Sequence, residues 1–194
     1  MGRLREFNYE LAVERAMREF WRKGYANTSL RDLLDAMGIG EGSFYHLFRG
    51  KKQLYLVCLA RYNDLVTDRR LAILESETSV HKAVRKAFKA VIDEIHDRKN
   101  PPGCLMANSL FADVLVDRQL RKTVTREMHA FIGYFATRFA RAKKLGELPR
   151  DFPVRAAAQS LVTFLQGMFR VAQTVSSKRE LQRQVDTMLR GLGL

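Results

Sequence analysis

The chain has 194 residues, 46% of them hydrophobic, and its 34 Lys and Arg against 21 Asp and Glu give a formal charge of +13. That is enough apolar material for a sizeable core, and the positive excess points to an anionic partner, most commonly nucleic acid. Two cysteines exclude a disulfide framework, and no apolar run approaches the roughly 18 residues of a membrane-spanning helix.

The charge is unevenly spread. Residues 1–55 carry ten Lys and Arg against seven acids, so most of the excess lies further on, and bulk charge alone is a loose argument for nucleic acid. The opening stretch MGRLREFNYELAVERAM is charged throughout and has no signal-peptide core, so a reduced cytoplasm is the expected location.

Taken in chain order, the periodicity predicts an all-α protein of about nine helices. The first runs over about 8–23 with Val13, Ala16, Met17, Phe20 and Trp21 on one stripe, and Gly24 stops it. Ser29-x-x-Asp32 is a capping box, with Thr28 as a rival cap, and opens a short helix over about 29–36. Gly38 sits where the chain must reverse within about three residues, which favours positive φ. A second short helix follows over about 41–48, with Phe44, Leu47 and Phe48 supplying the face that matches Leu30, Leu33, Leu34, Met37 and Ile39. From Lys51 a continuous amphipathic helix is expected to about Leu74. After the polar break at 75–79 come helices over about 81–98, 104–115, 118–144, 154–176 and 179–191, interrupted at Asn100-Pro101-Pro102-Gly103 and between Leu145 and Pro153.

Two short helices around a Gly turn form the pattern of a helix-turn-helix, whose second helix can enter the major groove. The string G-S-F-Y-H-x-F-x-x-K (42–51), about fifteen residues after GY-x-x-TS (24–29), resembles the DNA-binding domain of TetR-family transcriptional regulators. The resemblance implies a DNA-binding head over 1–50 and a ligand-binding and dimerisation body over 51–194. It implies a homodimeric repressor that is released from a palindromic double-stranded operator by a small-molecule inducer. Tyr45 and Lys51 would contact phosphates, His46 could add another backbone contact, and Thr28 could offer a hydroxyl and a helix N-terminus. Base reading would fall to Glu41, Gly42 and Ser43 with Arg31 from the preceding helix, and Arg3 and Arg5 could form an arm. Gly40, Leu47, Gly50 and Lys52 depart from the residues common in the family.

In the body, Ala157, Leu161, Phe164 and Met168 share an apolar face, and Leu181, Val185 and Leu189 form a second stripe. A single-chain core would explain both faces; the resemblance implies dimerisation through these two helices. The central helices supply a pocket region, Tyr62, Phe88, Met106, Phe111, Phe131 and Phe135, each of which could equally be plain core. Cys104 follows Pro-Pro-Gly at the start of a helical segment, a placement that favours the reactive thiolate. Its G-C-L-x-x-N string resembles one in TetR regulators that sense electrophiles or oxidants, and a buried structural cysteine is the alternative. Cys58 reads as core. His81, His96 and His129 are scattered without ligand spacing, so no metal or other cofactor is expected, and no spacing supports a catalytic arrangement. The competing reading is a helical interaction protein that keeps the head as a scaffold without binding DNA.

Overall fold

The structure is a computed structural model that describes residues 8–110, 112–174 and 177–194. All nine segments read from the sequence are helical, two of them subdivided, and the described residues contain no strand.

Helix α1 (Tyr9–Lys23) starts on Asn8, whose side chain accepts from the Leu11 amide, and stops at Gly24 with φ 80°. Its buried residues Ala12, Val13, Ala16, Met17, Phe20 and Trp21 follow the helical period. Helix α2 (Leu30–Met37) is only eight residues long and would be marginal alone, so its ends matter. Ser29 accepts from the Asp32 amide while Asp32 accepts from the Ser29 amide, and Gly38 closes the helix at φ 69°. Helix α3 (Glu41–Phe48) packs back through Phe44 and Phe48, 0% and 3% exposed.

Thr28 is not a cap. It is fully buried, and its hydroxyl donates to the Gly24 carbonyl at 2.6 Å.

The long helix expected from Lys51 is present but not uniform. Helix α4 (Lys51–Tyr62) passes through a five-residue π-helical turn, Asn63–Thr67, into α5 (Asp68–Glu75). Side chains stitch the wider turn: Thr67 donates to the Asn63 side-chain oxygen at 3.1 Å, and Asn63 donates to Glu127 at 2.9 Å. Helix α6 (Val80–Ile95) follows. The segment expected as one helix over 104–115 is two single turns, α7 (Leu105–Asn108) and α8 (Ala112–Leu115). Ser109 diverts the chain between them. Its amide is shared by the Leu105 and Met106 carbonyls, and its hydroxyl donates to Leu105 and pairs with the Tyr55 hydroxyl at 2.6 Å. Then come α9 (Arg118–Lys144), α10 (Val154–Val171) and α11 (Lys178–Leu192). The last begins in a Ser177/Glu180 capping box.

One core runs through the chain. Phe20, Leu33 and Phe44 are fully buried in the head, and the cluster continues through Leu54, Tyr55 and Tyr62 to Phe139, Phe169 and Leu189. Each large side chain so buried contributes roughly 1.5–3 kcal/mol. Polar ties reinforce the seam between α1 and α4: Arg61 reaches Glu14 at 2.6 Å and Glu10 at 3.0 Å. Lys52 meets Asp117, the N-cap of α9, at 3.2 Å.

Candidate nucleic-acid interface and effector cavity

Burial of Phe44 and Phe48 decides what α3 shows to solvent. With those two rings inward, the 3.6-residue period turns Gly42 and His46 to the opposite side, flanked by Tyr45 and Ser43. All four are exposed, Tyr45 at 49%, and Glu41 is exposed at the first turn. The Tyr45 ring stands edge-on to Phe44 with centroids 5.3 Å apart, which holds it while leaving its hydroxyl outward. Neither Gly40 before α3 nor Gly50 before α4 supplies a side-chain cap, so both helix N-termini keep amide hydrogens for an acceptor such as phosphate.

The other residues singled out in the sequence fall differently. Arg31 is almost wholly solvated, with Asp35 at 3.9 Å. Lys51 lies at the seam, its ammonium 3.3 Å from the Ala26 carbonyl and 4.6 Å from the centre of the Tyr25 ring. Thr28 cannot present a hydroxyl to a phosphate because that hydroxyl is spent inside the fold. The start of α2 is also occupied. Asp32 pairs with Lys23 at 2.7 Å and accepts from Ser29, contacts that hold its carboxyl far below the usual carboxylate range. That acidic cap repels a phosphate. Arg3 and Arg5 lie outside the described residues. Leu47, expected on the inward face with Phe44 and Phe48, is instead exposed, because the two rings alone turn that side of α3 inward. It lines a groove between α1 and α3 together with Leu11, Ser43 and Arg15, which sequence reading overlooked. Nothing local to the sequence signals that groove, because it depends on how α1 crosses α3.

In the body, a cavity of about 220 Å³ opens between the π-helical turn, the Cys104 turn, α9 and α10. Tyr62, Met106 and Phe131 from the expected pocket region line it. Phe88 and Phe135 do not: they are 3% and 4% exposed and border, with Phe131, a separate cleft of about 20 Å³, too tight for a ligand. Phe111 lies outside the described residues.

Cys104 is on the cavity wall, 3% exposed. Its support differs from the one the sequence suggested. The helix after it is a single four-residue turn, too short to carry a useful dipole. Instead, the Tyr62 hydroxyl donates to Sγ at 3.1 Å, and Arg70 Nη1 lies 4.0 Å from Sγ and 3.3 Å from the Tyr62 hydroxyl. Burial holds the Tyr62 phenol well above its ordinary range, so it stays a donor. Arg70 is 8% exposed and clamped by Glu94 at 2.7 and 2.8 Å, over the Phe169 ring. A buried guanidinium with its own counter-ion is thus held beside a thiol. Gln166, also on the wall, keeps a buried side-chain oxygen without a partner. Cys58, by contrast, is fully buried, and burial pushes its thiol far up, which keeps it protonated.

The face expected to form a dimer is already used. Ala157, Leu161, Met168, Leu181, Val185 and Leu189 are at most 3% exposed within the single chain, and half-buried Phe164 packs edge-on to Phe88. The period was read correctly; the partner of that stripe is the chain's own core. Ala156, Ser160, Thr163, Gly167 and Val171 form one exposed stripe along α10, with Arg155 and Gln159 exposed beside it. Helix α11 exposes Gln184, Thr187 and Gly191 together with Arg179, Arg183 and Arg190, beside half-buried Met188.

Comparison with known proteins identifies the family. The family model for bacterial regulatory proteins of the tetR family matches residues 12–58, and that for the tetracyclin repressor-like C-terminal domain matches 81–188.

The chain belongs to the TetR family.

It is 30% identical over 97% of its length to the uncharacterized helix-turn-helix-type transcriptional regulator YezE of Bacillus subtilis, covering 98% of that protein. Identity is also 30% to the transcriptional repressor ComR of Escherichia coli, over 97% of this chain and 90% of ComR. Among solved structures, a cysteine mutant of the TetR-family regulator CifR in complex with a 26-base-pair operator superposes with a TM-score of 0.90 at 27% identity. The match covers 97% of this chain and 98% of that one. No helix among the described residues is long and apolar enough to cross a membrane.

Proposed function

We propose that this TetR-family transcriptional regulator is a cytoplasmic homodimeric repressor whose head, residues 1–50, reads a palindromic operator and whose body, residues 51–194, carries the effector cavity. The observation that carries the reading is the inward turn of Phe44 and Phe48, which leaves Gly42, Ser43, Tyr45 and His46 outward on α3. Tyr45, His46 and Lys51 supply backbone contacts, and Glu41, Gly42, Ser43 and Arg31 supply base contacts. Thr28 has no part in it.

The outward small-residue stripe of α10 supports assembly of two copies, since small side chains let helices of two protomers approach closely. Two heads related by that two-fold axis meet two half-sites about one helical turn apart or a multiple of it. A small molecule in the cavity releases the operator by favouring a head arrangement that no longer fits both half-sites. Cys104, with Tyr62 and Arg70 beside it, is the group through which a thiol-reactive effector would act.

A salt titration of operator binding tests the reading. Phosphate contacts release counter-ions, so affinity must fall steeply and linearly in log–log form as salt rises. A folded dimer with salt-independent DNA binding would instead be a helical scaffold.

A further inference from the structure

Between the cavity and the DNA-binding head lies one helical turn, α7. The residue before it, Cys104, is on the cavity wall, and its last residue, Asn108, donates from Nδ2 to the Trp21 carbonyl at 3.0 Å. Trp21 is in the last turn of α1, where helix carbonyls lack partners within the helix. Asn108 therefore caps the first helix of the head from the body.

A second path ends at the same residue. The Tyr62 hydroxyl bonds to Cys104, and the Tyr62 ring meets the Trp21 ring edge-on with centroids 5.1 Å apart. Cys104 and Asn108 thus both reach Trp21, one through Tyr62 and the other directly. Gly103 suits the turn, since its φ is 78°, and it packs against the side-chain amide of Gln173 just beyond α10. The string G-C-L-x-x-N accordingly places one residue against Gln173, one on the cavity and one on the head. Asn108 Oδ1 is buried with no partner, so on the side-chain amide the bond to Trp21 is what holds it.

We propose that Asn108 is the residue that couples the cavity to the DNA-binding head. Occupation of the cavity displaces the Cys104 turn, withdraws the Asn108 amide from the Trp21 carbonyl and frees the C-terminal turn of α1 to shift against α2 and α4. Because Phe20 and Trp21 sit in the head core, that shift reaches α3. The inference rests on the cavity being the effector site.

The test uses the full-length protein and the duplex it enriches from a random library. Hydrogen exchange is followed at the amides of Asn108 and Ser109, which close α7 onto the Cys104 and Leu105 carbonyls. Bound duplex slows their exchange in the wild type by about fivefold or more, because DNA selects the state in which Asn108 is docked. In Asn108→Leu, which keeps the volume and cannot donate, the duplex changes exchange at Ser109 by less than about twofold. Asn108→Ala repeats the measurement should the Leu variant fold poorly. Equal exchange with and without duplex in the wild type, or undiminished protection in the variants, overturns the coupling. A second arm uses N-ethylmaleimide, with the adduct on Cys104 located by mass. Release of duplex from the wild type but not from Asn108→Leu, at equal modification, supports the coupling, and equal release from both overturns it. Modification of Cys104 without release in the wild type counts against the cavity as effector site, and the exchange arm then decides the coupling alone.

Discussion

The Tyr62 hydroxyl donates to the Cys104 sulfur at 3.1 Å, inside a cavity whose wall also brings the Arg70 guanidinium to within 4.0 Å of that sulfur. Both groups aim donors at one acceptor, the sulfur that attacks in alkylation. A hydrogen bond to a charged group is worth about 1.5–3 kcal/mol, so Tyr62→Phe should slow alkylation of Cys104 by iodoacetamide at neutral pH by about tenfold. Rates in single-cysteine proteins lacking Cys58 measure this directly. An unchanged rate means that Tyr62 does not activate the thiol.

Lys51→Ala should weaken operator binding whatever the half-site sequence and lower the slope of log affinity against log salt by about one. Tyr45→Phe should weaken binding without a change of slope, because it removes a neutral donor. Fluorescence anisotropy over a salt series separates the two, and unchanged affinity in both variants removes the phosphate roles.

Thr28→Val keeps the shape of a buried side chain and deletes its bond to the Gly24 carbonyl. The expected result is a loss of about 1 kcal/mol of stability with unaltered affinity of the folded protein for its duplex. Weaker binding by the folded variant would place the hydroxyl on a phosphate after all.

Gly167 faces outward on α10 and a Cβ there meets nothing within 4 Å in the chain. Gly167→Arg should therefore leave the monomer fold intact while setting a charge between two copies. Sedimentation should show a folded monomer that binds duplex far more weakly. A stable dimer in this variant would move the interface elsewhere.

Asp32 holds its proton less tightly folded than unfolded, because Lys23 and Ser29 stabilise its charged form. A depressed folded value means that its contribution is complete above the unfolded value of about 3.9 and is lost as pH falls below it. Asp32→Asn should accordingly be less stable than the wild type at pH 6, with the difference shrinking toward pH 2. Melting temperatures across that range check the sign.

Local chemistry explains what could be read in advance. Gly38 at positive φ, the Ser29/Asp32 box and the Phe44/Phe48 pair follow from short-range spacing, so the helices and turn of the head were legible. Thr28 was not, because its hydroxyl turns toward Gly24 only once α1 and α2 are folded against each other. The apolar stripes of α10 and α11 were seen, but periodicity cannot say whether a stripe faces its own chain or a second one. Nor could it show the π-helical turn at Asn63–Thr67, which depends on Glu127 sixty-four residues away from Asn63. Cys104 stands out in its string, whereas its partners Tyr62 and Arg70, and Arg70's counter-ion Glu94, come from separate helices. Only the tertiary fold brings them together.

The most direct test of the account is selection of bound duplexes from a random library by the purified protein at physiological salt. The account predicts enrichment of a palindrome with two identical half-sites, matching two heads on a two-fold axis. Absence of any enriched sequence, from a protein shown to be folded and dimeric, would contradict it.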